Sequence, residues 1–421
     1  MMMIEIFVLM TFTDFLVNLL YILFIFLNSL EFFILSLLFL IFFHITLYFL
    51  RDRSYINAVR SHKDLETITI NDLKQLPLVN ILVPAGKEGK NFENFLKSIK
   101  NLSYPKIKTI VNAGGNDETI RIAESYKKYD NFIILRQEAG EDRAALGKIK
   151  ALNDSLNYVD EGVLFLTDAD CLIEDEILLR VLYPITNNGQ KVVVGAGLRP
   201  LKHQENNSLV KYLQFTRLFQ TKVKFSRHYR KGIIGANTCI TYEVIKSIGK
   251  FSENRFIAED TSRGIDILSK GFKIYSLIDY RSRIYTEFPT TLKELILQRR
   301  RYIENSFILH YQNKHKVAFL KIILLFIVSI YLVIFPLFLL FNFGLFYIGM
   351  LLFFYICLKR FRIYLMFKKM VKKEFVPKIS FIFCIKAVFI IYLEFLTNFI
   401  VPFHLIKYFK YLKKLKGSHS D

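Results

Sequence analysis

Two carboxylates stand one residue apart at Asp168 and Asp170, where the apolar run Val163-Leu164-Phe165-Leu166 ends. Four consecutive apolar residues predict a strand buried on both faces of a parallel sheet. In extended chain, residues i and i+2 point to the same side. In open α/β sheets, ligands gather beyond the carboxyl ends of the strands. Asp168 and Asp170 are therefore expected to leave the sheet together, toward one ligand. Two hard oxygen donors at that place suit Mg²⁺ or Mn²⁺ carrying a diphosphate. Taken alone, the pair is also what a strand end followed by an Asp-rich turn would give, so the elements around it must decide.

Those elements alternate. Strands are predicted over residues 76–84, 108–111, 132–135, 163–166 and 192–196. Helices are predicted over 91–100, from 118 to about 128, and over 147–156. In the first helix Phe92, Phe95, Leu96 and Ile99 share one face. Strand and helix in turn imply βαβ units and a parallel sheet. Residues 112–117 form a turn between the second strand and its helix. Its Gly114-Gly115 pair could offer backbone N–H groups to a phosphate, but it lacks the Rossmann and P-loop spacings, and a plain turn is the preferred assignment. Residues 206–230 are basic and aromatic, as in an amphipathic helix that lies on a membrane surface or packs as an ordinary helix on the domain. Gly235-Ala236-Asn237 is a glycine turn leading into a strand. Ala258-Glu259-Asp260-Thr261 opens a helix to about residue 269. A last helix over 291–303 carries Gln298-Arg299-Arg300-Arg301-Tyr302, in which Gln298, Arg301 and Tyr302 fall at i, i+3 and i+4 on one face.

Composition frames this domain. The chain has 421 residues, 52% of them hydrophobic, too long and too apolar for one soluble domain. Its apolar residues gather in three blocks. Residues 4–50 carry only Glu5, Asp14 and Glu31 as charges, residues 322–358 carry none, and residues 379–405 carry Lys386 and Glu394. A transmembrane helix needs about 20 apolar residues, so the first block holds two spans and the last two about three. No signal peptide is expected, because no basic n-region or small-residue cleavage site precedes the first block. The net charge of +21 gathers beside these blocks, at Arg51, Arg53, Arg60 and Lys63, at 359–373 and at 407–416. That is a cytoplasmic juxtamembrane pattern meeting anionic lipid, not a nucleic-acid groove. Three C-terminal spans would put the basic tail outside, so the topology there stays open. The four cysteines have no metal-ligand spacing and fit a reducing compartment. The expected layout is a transmembrane segment over 1–50, a basic linker over 51–76, a soluble domain over 77–290, an interface helix over 291–316 and a membrane region over 317–421. The protein is then integral to the cell membrane, with its soluble domain in the cytoplasm.

The order of these pieces resembles the family-two inverting glycosyltransferases with a GT-A fold, and among them the membrane-embedded synthases related to cellulose, chitin and hyaluronan synthases. The resemblance covers about residues 78–307. Val83-Pro84-Ala85 is similar to the family's first strand, and Gly147-Lys148-Ile149-Lys150-Ala151-Leu152-Asn153 to its Gly-Lys-x-x-Ala-Leu-Asn helix. Asp168-Ala169-Asp170 is similar to its Asp-x-Asp, Ala258-Glu259-Asp260 to its Thr-Glu-Asp, and Gln298 to Tyr302 to its Gln-x-x-Arg-Trp. The resemblance implies a GT-A-like, Rossmann-like α/β domain with a parallel or mixed sheet, flanked by transmembrane helices. It implies Mg²⁺ or Mn²⁺ on Asp170 with Asp168, and a general base at Asp260. Glu88, Asn112, Lys148, Asp168, Gln298 and Arg301 then serve the donor and its diphosphate, and Tyr302 and Glu259 the acceptor.

The implied reaction moves a sugar from a nucleotide-diphosphate sugar, UDP-linked by default, to a hydroxyl of a glycan or lipid-linked acceptor. A metal neutralises the leaving group, a base takes the acceptor proton, and an Arg fork suits a diphosphate. A polysaccharide synthase is slightly favoured. The alternatives are single transfer to a polyprenyl or dolichyl phosphate and, from another class, a non-catalytic membrane scaffold or nucleotide-sugar sensor. The chain departs from the family in three places. Gly86-Lys87 precede Glu88 where an aromatic and Asn are usual. Asn112-Ala113-Gly114-Gly115 replaces an Asp-Asp-Gly-Ser turn. Tyr302 replaces Trp, a residue that the chain lacks altogether.

Overall fold

In the computed structural model, described residues are 67–137, 144–216, 229–230, 232–251, 259–277, 279–312, 316–370 and 383–395, with scattered positions between 35 and 53. They form two compact units. One comprises residues 58–206 and 213–288; the other comprises 1–57, 207–212 and 289–421.

The first unit begins β1 (Val79–Gly86), α1 (Lys90–Lys100), β2 (Ile107–Gly114), α2 (Asp117–Glu124), β3 (Phe132–Arg136), α3 (Ala144–Leu156) and β4 (Val163–Leu166). It continues with β5 (Cys171–Leu172), α4 (Asp175–Asn188), β6 (Val192–Val194), β7 (Leu198–Pro200), α5 (Ser208–Thr216, which straddles the two units), β8 (Tyr229–Arg230) and β9 (Thr238–Thr241). It ends with α6 (Tyr242–Ile248), α7 (Glu259–Ser269), β10 (Ile274–Ser276) and β11 (Ile284–Thr286). The eight-stranded sheet has the order β3-β2-β1-β4-β9-β6-β10-β8, and a three-stranded sheet the order β5-β11-β7. Strands β3, β2, β1 and β4 are parallel, as the βαβ pattern requires.

The large sheet is buried on both faces. Along β1 and β4, Ile81, Val83, Val163 and Phe165 join the core with Phe92, Phe95 and Leu96 of α1. Their neighbours Leu82, Leu164 and Leu166 join the opposite core with Ile149 and Leu152 of α3. The alternation follows from the two-residue period of a strand, and it explains why these strands read as unbroken apolar runs.

Of the parallel or mixed sheet expected, the structure has the mixed form, because β9 lies antiparallel between β4 and β6; a short apolar run carries no sign of its direction. The structure corrects two other sequence expectations. Strand β2 runs through Asn112 to Gly114, where a turn was expected, because its register with β1 extends to Gly86↔Gly114. The helix expected over 206–230 is seen as α5, residues 217–228 lie outside the described ones, and Tyr229–Arg230 is the edge strand β8, antiparallel to β10.

The second unit contains α8 (Leu292–Gln312), α9 (Lys316–Ile334), a 3₁₀ turn (Phe335–Leu340), α10 (Phe343–Met370) and α11, over residues 383–395. Pro336 and the 3₁₀ turn separate α9 from α10. Gly349 admits the turn, since a Cβ there would meet the Phe335 side chain at 2.5 Å. Tyr392 of α11 donates to the Val333 carbonyl at 2.8 Å. Among the described residues no helix is long and apolar enough to cross a membrane. Helix α9 has 19 residues and α10 has 28. The expected N-terminal spans and the basic tail at 407–416 lie largely or wholly outside the described residues.

Candidate active site

The Asp pair leaves β4 through a turn fixed on both sides. Asn237 donates its backbone N–H to the Leu166 carbonyl at 2.9 Å, which caps the end of the strand. Cys171 N–H returns to the Asp168 carbonyl at 3.2 Å. The chain then enters β5, whose Cys171 and Leu172 pair antiparallel with Thr286 and Tyr285 of β11. Asp170 is held at about 6, against an ordinary 3.8, by burial first and by the Asp168 charge second. The Cys171 thiol donates weakly to it at 3.6 Å. Lys148 of α3 reaches Asp168 with its ammonium 2.7 Å from Oδ1.

Glu88 completes one side of this carboxylate group. Its carboxyl is raised mainly by burial, then by Asp170, Asp168 and Glu287, against a bond from the Gly86 N–H that lowers it. The loop carrying it is tied to α2 at Thr119, which accepts from the Glu88 N–H at 2.8 Å and donates to its carbonyl at 3.1 Å. Asn116 caps α2 by accepting the Thr119 N–H at 2.9 Å. Gly115 passes beneath this loop with φ +82°, and a Cβ there would sit 2.7 Å from the Lys87 nitrogen. Glycine is the residue that takes that φ without strain. Gly115 is thus a steric requirement of the interlocked loops, while Gly114, within β2, leaves room for the Gln137 side chain, which a Cβ there would meet at 2.7 Å.

Glu287 was not singled out from the sequence. It follows β11 directly, is exposed, and accepts from the Asn91 amide of α1. No motif surrounds it; its place depends on β11 pairing beside β5. Asn91, Asn94, Asp170, Glu174, Lys202 and Tyr285 line a cavity of about 290 Å³. Behind it, the Arg199 guanidinium lies 3.6 Å from the Tyr285 ring centroid and 3.3 Å from Glu174.

Asp260 is the second residue of α7 and lines a narrow slot with Lys148, Thr167, Gly235 and Phe251. Lys148 therefore stands between the Asp168 side and the Asp260 side. The glycine turn before β9 shapes this region. Asn237 has φ +84°, and its amide donates to the Ser282 carbonyl at 2.7 Å. Glu259 opens α7, but its side chain lies outside the described ones.

Asn112 is not at the rim. It is 2% exposed within β2 and donates to the Ala151 carbonyl of α3 at 3.3 Å, while among the described residues its Oδ1 has no partner. Gln298, Arg301 and Tyr302 lie on α8 in the other unit. Arg301 and Tyr302 are exposed, and the guanidinium is 5.9 Å from the tyrosine ring centroid. Among the described residues no three His, Cys, Asp or Glu side chains form a metal-holding group. A pair of carboxylates still fits Mg²⁺ or Mn²⁺, since such ions are commonly bound through one or two carboxylates plus substrate phosphates and water. The burial and mutual repulsion that raise Asp170 are relieved by a cation there.

Residues 77–305 match the model of a family described as glycosyltransferase like family 2. The probable glycosyltransferase YdaM of Bacillus subtilis (strain 168) is 26% identical over 213 residues, 48% of this chain and 49% of that protein. The beta-monoglucosyldiacylglycerol synthase of Nostoc sp. is 34% identical over 111 residues, 25% of this chain and 23% of that protein. The poly-beta-1,6-N-acetyl-D-glucosamine synthase of Staphylococcus epidermidis is 27% identical over 104 residues, 24% of each. The chain thus spans about half, or less, of the length of these relatives. Among solved structures, the mannosyltransferase PcManGT from Pyrobaculum calidifontis, in complex with GDP-Man and Mn²⁺, shares 17% identity with a TM-score of 0.46, covering 68% of this chain and 76% of that one.

Proposed function

Because the chain belongs to the glycosyltransferase-like family 2, we propose that it transfers a sugar from a nucleotide-diphosphate sugar to a hydroxyl acceptor with inversion. The observation that carries this reading is the gathering at the carboxyl end of β4, where Lys148 pairs with Asp168, the Asp168 charge acts on Asp170, and Asp260 lines a slot with Lys148. Asp170 with Asp168 would hold Mg²⁺ or Mn²⁺, which when bound neutralises the leaving diphosphate. Lys148 keeps Asp168 oriented and supplies a positive charge next to that diphosphate. Asp260, in the first turn of its helix, takes the acceptor hydroxyl proton as the anomeric carbon is attacked. Arg301 offers a fork for phosphate oxygens and Tyr302 an aromatic face for the acceptor. Asn112 is committed to α3, so nucleobase selection falls to other groups, with UDP as the default donor.

The finer parts of the reading are the membrane and the acceptor. Membrane attachment is supported by the apolar side chains that α10 and its neighbours expose, and a cytoplasmic side for the catalytic domain over 77–290 by the basic residues that flank the apolar blocks. Leu340, Phe341, Phe354 and Phe389 are each more than half exposed, and contiguous exposed apolar surface marks a lipid or protein contact. A polysaccharide synthase is the first reading of the product. Transfer to a lipid-linked acceptor is the second, favoured by the glycolipid relative at 34% identity.

A panel of UDP- and GDP-sugars with membranes containing the full chain and Mn²⁺ or Mg²⁺ tests the proposal through released nucleotide and product size. Long polymer supports the first product and a single glycolipid the second. Asp170→Asn and Asp260→Asn should each abolish transfer, and undiminished turnover in both variants would sink the assignment.

A further inference from the structure

Glu394 is one of two charged residues between positions 379 and 405, a block that is otherwise apolar or uncharged. It is only 9% exposed, and buried Ile390, Ile391 and Phe395 accompany it on α11. Among the described residues, Arg299 and Tyr212 of the same unit reach it. Arg299 of α8 places Nη2 2.5 Å from Oε1. The hydroxyl of Tyr212 of α5, itself 2% exposed, donates to Oε2 at 3.3 Å. The Arg299 guanidinium is thus committed to a buried carboxylate.

The position of Arg299 on α8 gives this contact a consequence. Successive helix residues turn by about 100°, so Gln298, Arg301 and Tyr302 share one face and Arg299 leaves the helix roughly a quarter turn away. A bond from Arg299 to a fixed point therefore sets the rotation of α8 about its own axis, and with it the direction of the neighbouring face. Buried ion pairs are weak sources of stability, and their best-attested use is to specify one register among several. We propose that Glu394 is a positioning residue. Through Arg299, and with Tyr212 on its other oxygen, it locks α8 in the rotation that presents Gln298, Arg301 and Tyr302 for function. The kinetic consequence rests on the glycosyl-transfer reading; the structural one does not.

The test uses the full chain with UDP-glucose, UDP-N-acetylglucosamine and GDP-mannose as donors. It compares Glu394→Gln, Arg299→Gln and the exchange pair Glu394→Arg with Arg299→Glu. Each single variant should lower kcat by about tenfold or more and, because one partner of a buried pair is left unmatched, also lower the melting midpoint, and the exchange pair should recover most of both losses. Amide hydrogen exchange over residues 292–312 should quicken in the single variants and slow again in the exchange pair. Parent-like kcat and exchange in Glu394→Gln would overturn the proposal. So would a loss that tracks the melting midpoint and is not recovered by the exchange pair. If the parent itself uses no nucleotide sugar, the transfer reading fails, and the hydrogen-exchange comparison alone still decides whether Glu394 sets the helix.

Discussion

Asp170→Asn should make the protein inactive and more stable. Asp170 is raised from 3.8 to about 6 by burial and by Asp168. A carboxyl whose folded value lies above its unfolded one favours the fold when protonated, so that contribution is complete below about pH 4 and is lost as pH rises through about 6. At about 1.4 kcal/mol per pH unit, the ionised Asp170 costs the empty fold up to about 3 kcal/mol at pH 7.5. Asparagine keeps the shape and removes the charge. For a unit of roughly 200 residues, ~1 kcal/mol moves the melting midpoint by about 2–4 °C. The variant should therefore melt up to roughly 6–12 °C higher than the parent at pH 7.5 in EDTA, and the gap should narrow to about a third by pH 4.5. Added Mn²⁺ should raise the parent and leave the variant unmoved, because only the parent retains both carboxylates to hold the ion. Scanning fluorimetry across that pH range is the assay. A variant that melts at or below the parent at pH 7.5, or a gap that does not change with pH, refutes the reasoning.

Two further substitutions probe the scaffold that aims the site. Phe165→Ala opens a cavity beside the strand that ends at the Asp pair; Phe165 is fully buried, and the loss should be about 3–5 kcal/mol in a denaturant titration. Gly115→Ala forces a side chain into φ +82° and to within 2.7 Å of the Lys87 nitrogen. It should destabilise by about 1–3 kcal/mol and loosen the Glu88 loop, detected as faster amide exchange over residues 86–89.

Much of the scaffold was legible because it is written in local periodicity. Strand Val163–Leu166 and the helix over 91–100 were read to within a residue, since the two-residue and 3.6-residue repeats are properties of the chain itself. The Asp pair was legible for the same reason, as two like groups at strand spacing. Direction and register were not. The antiparallel placing of β9 and the reach of β2 past Asn112 depend on pairing with strands distant in sequence.

By itself, the sequence determined the types of residue available for chemistry and the elements that carry them: a carboxylate pair after an apolar strand, a lysine on one helix and an aspartate at the start of another. Tertiary structure decided which of them meet and which are already committed. It joined Asn91 to Glu287 across 196 positions and Arg299 to Glu394 across 95. It also turned the Asn112 amide inward to α3. These contacts carry no local periodicity, because their energy comes from packing and burial between elements that only the folded chain brings together.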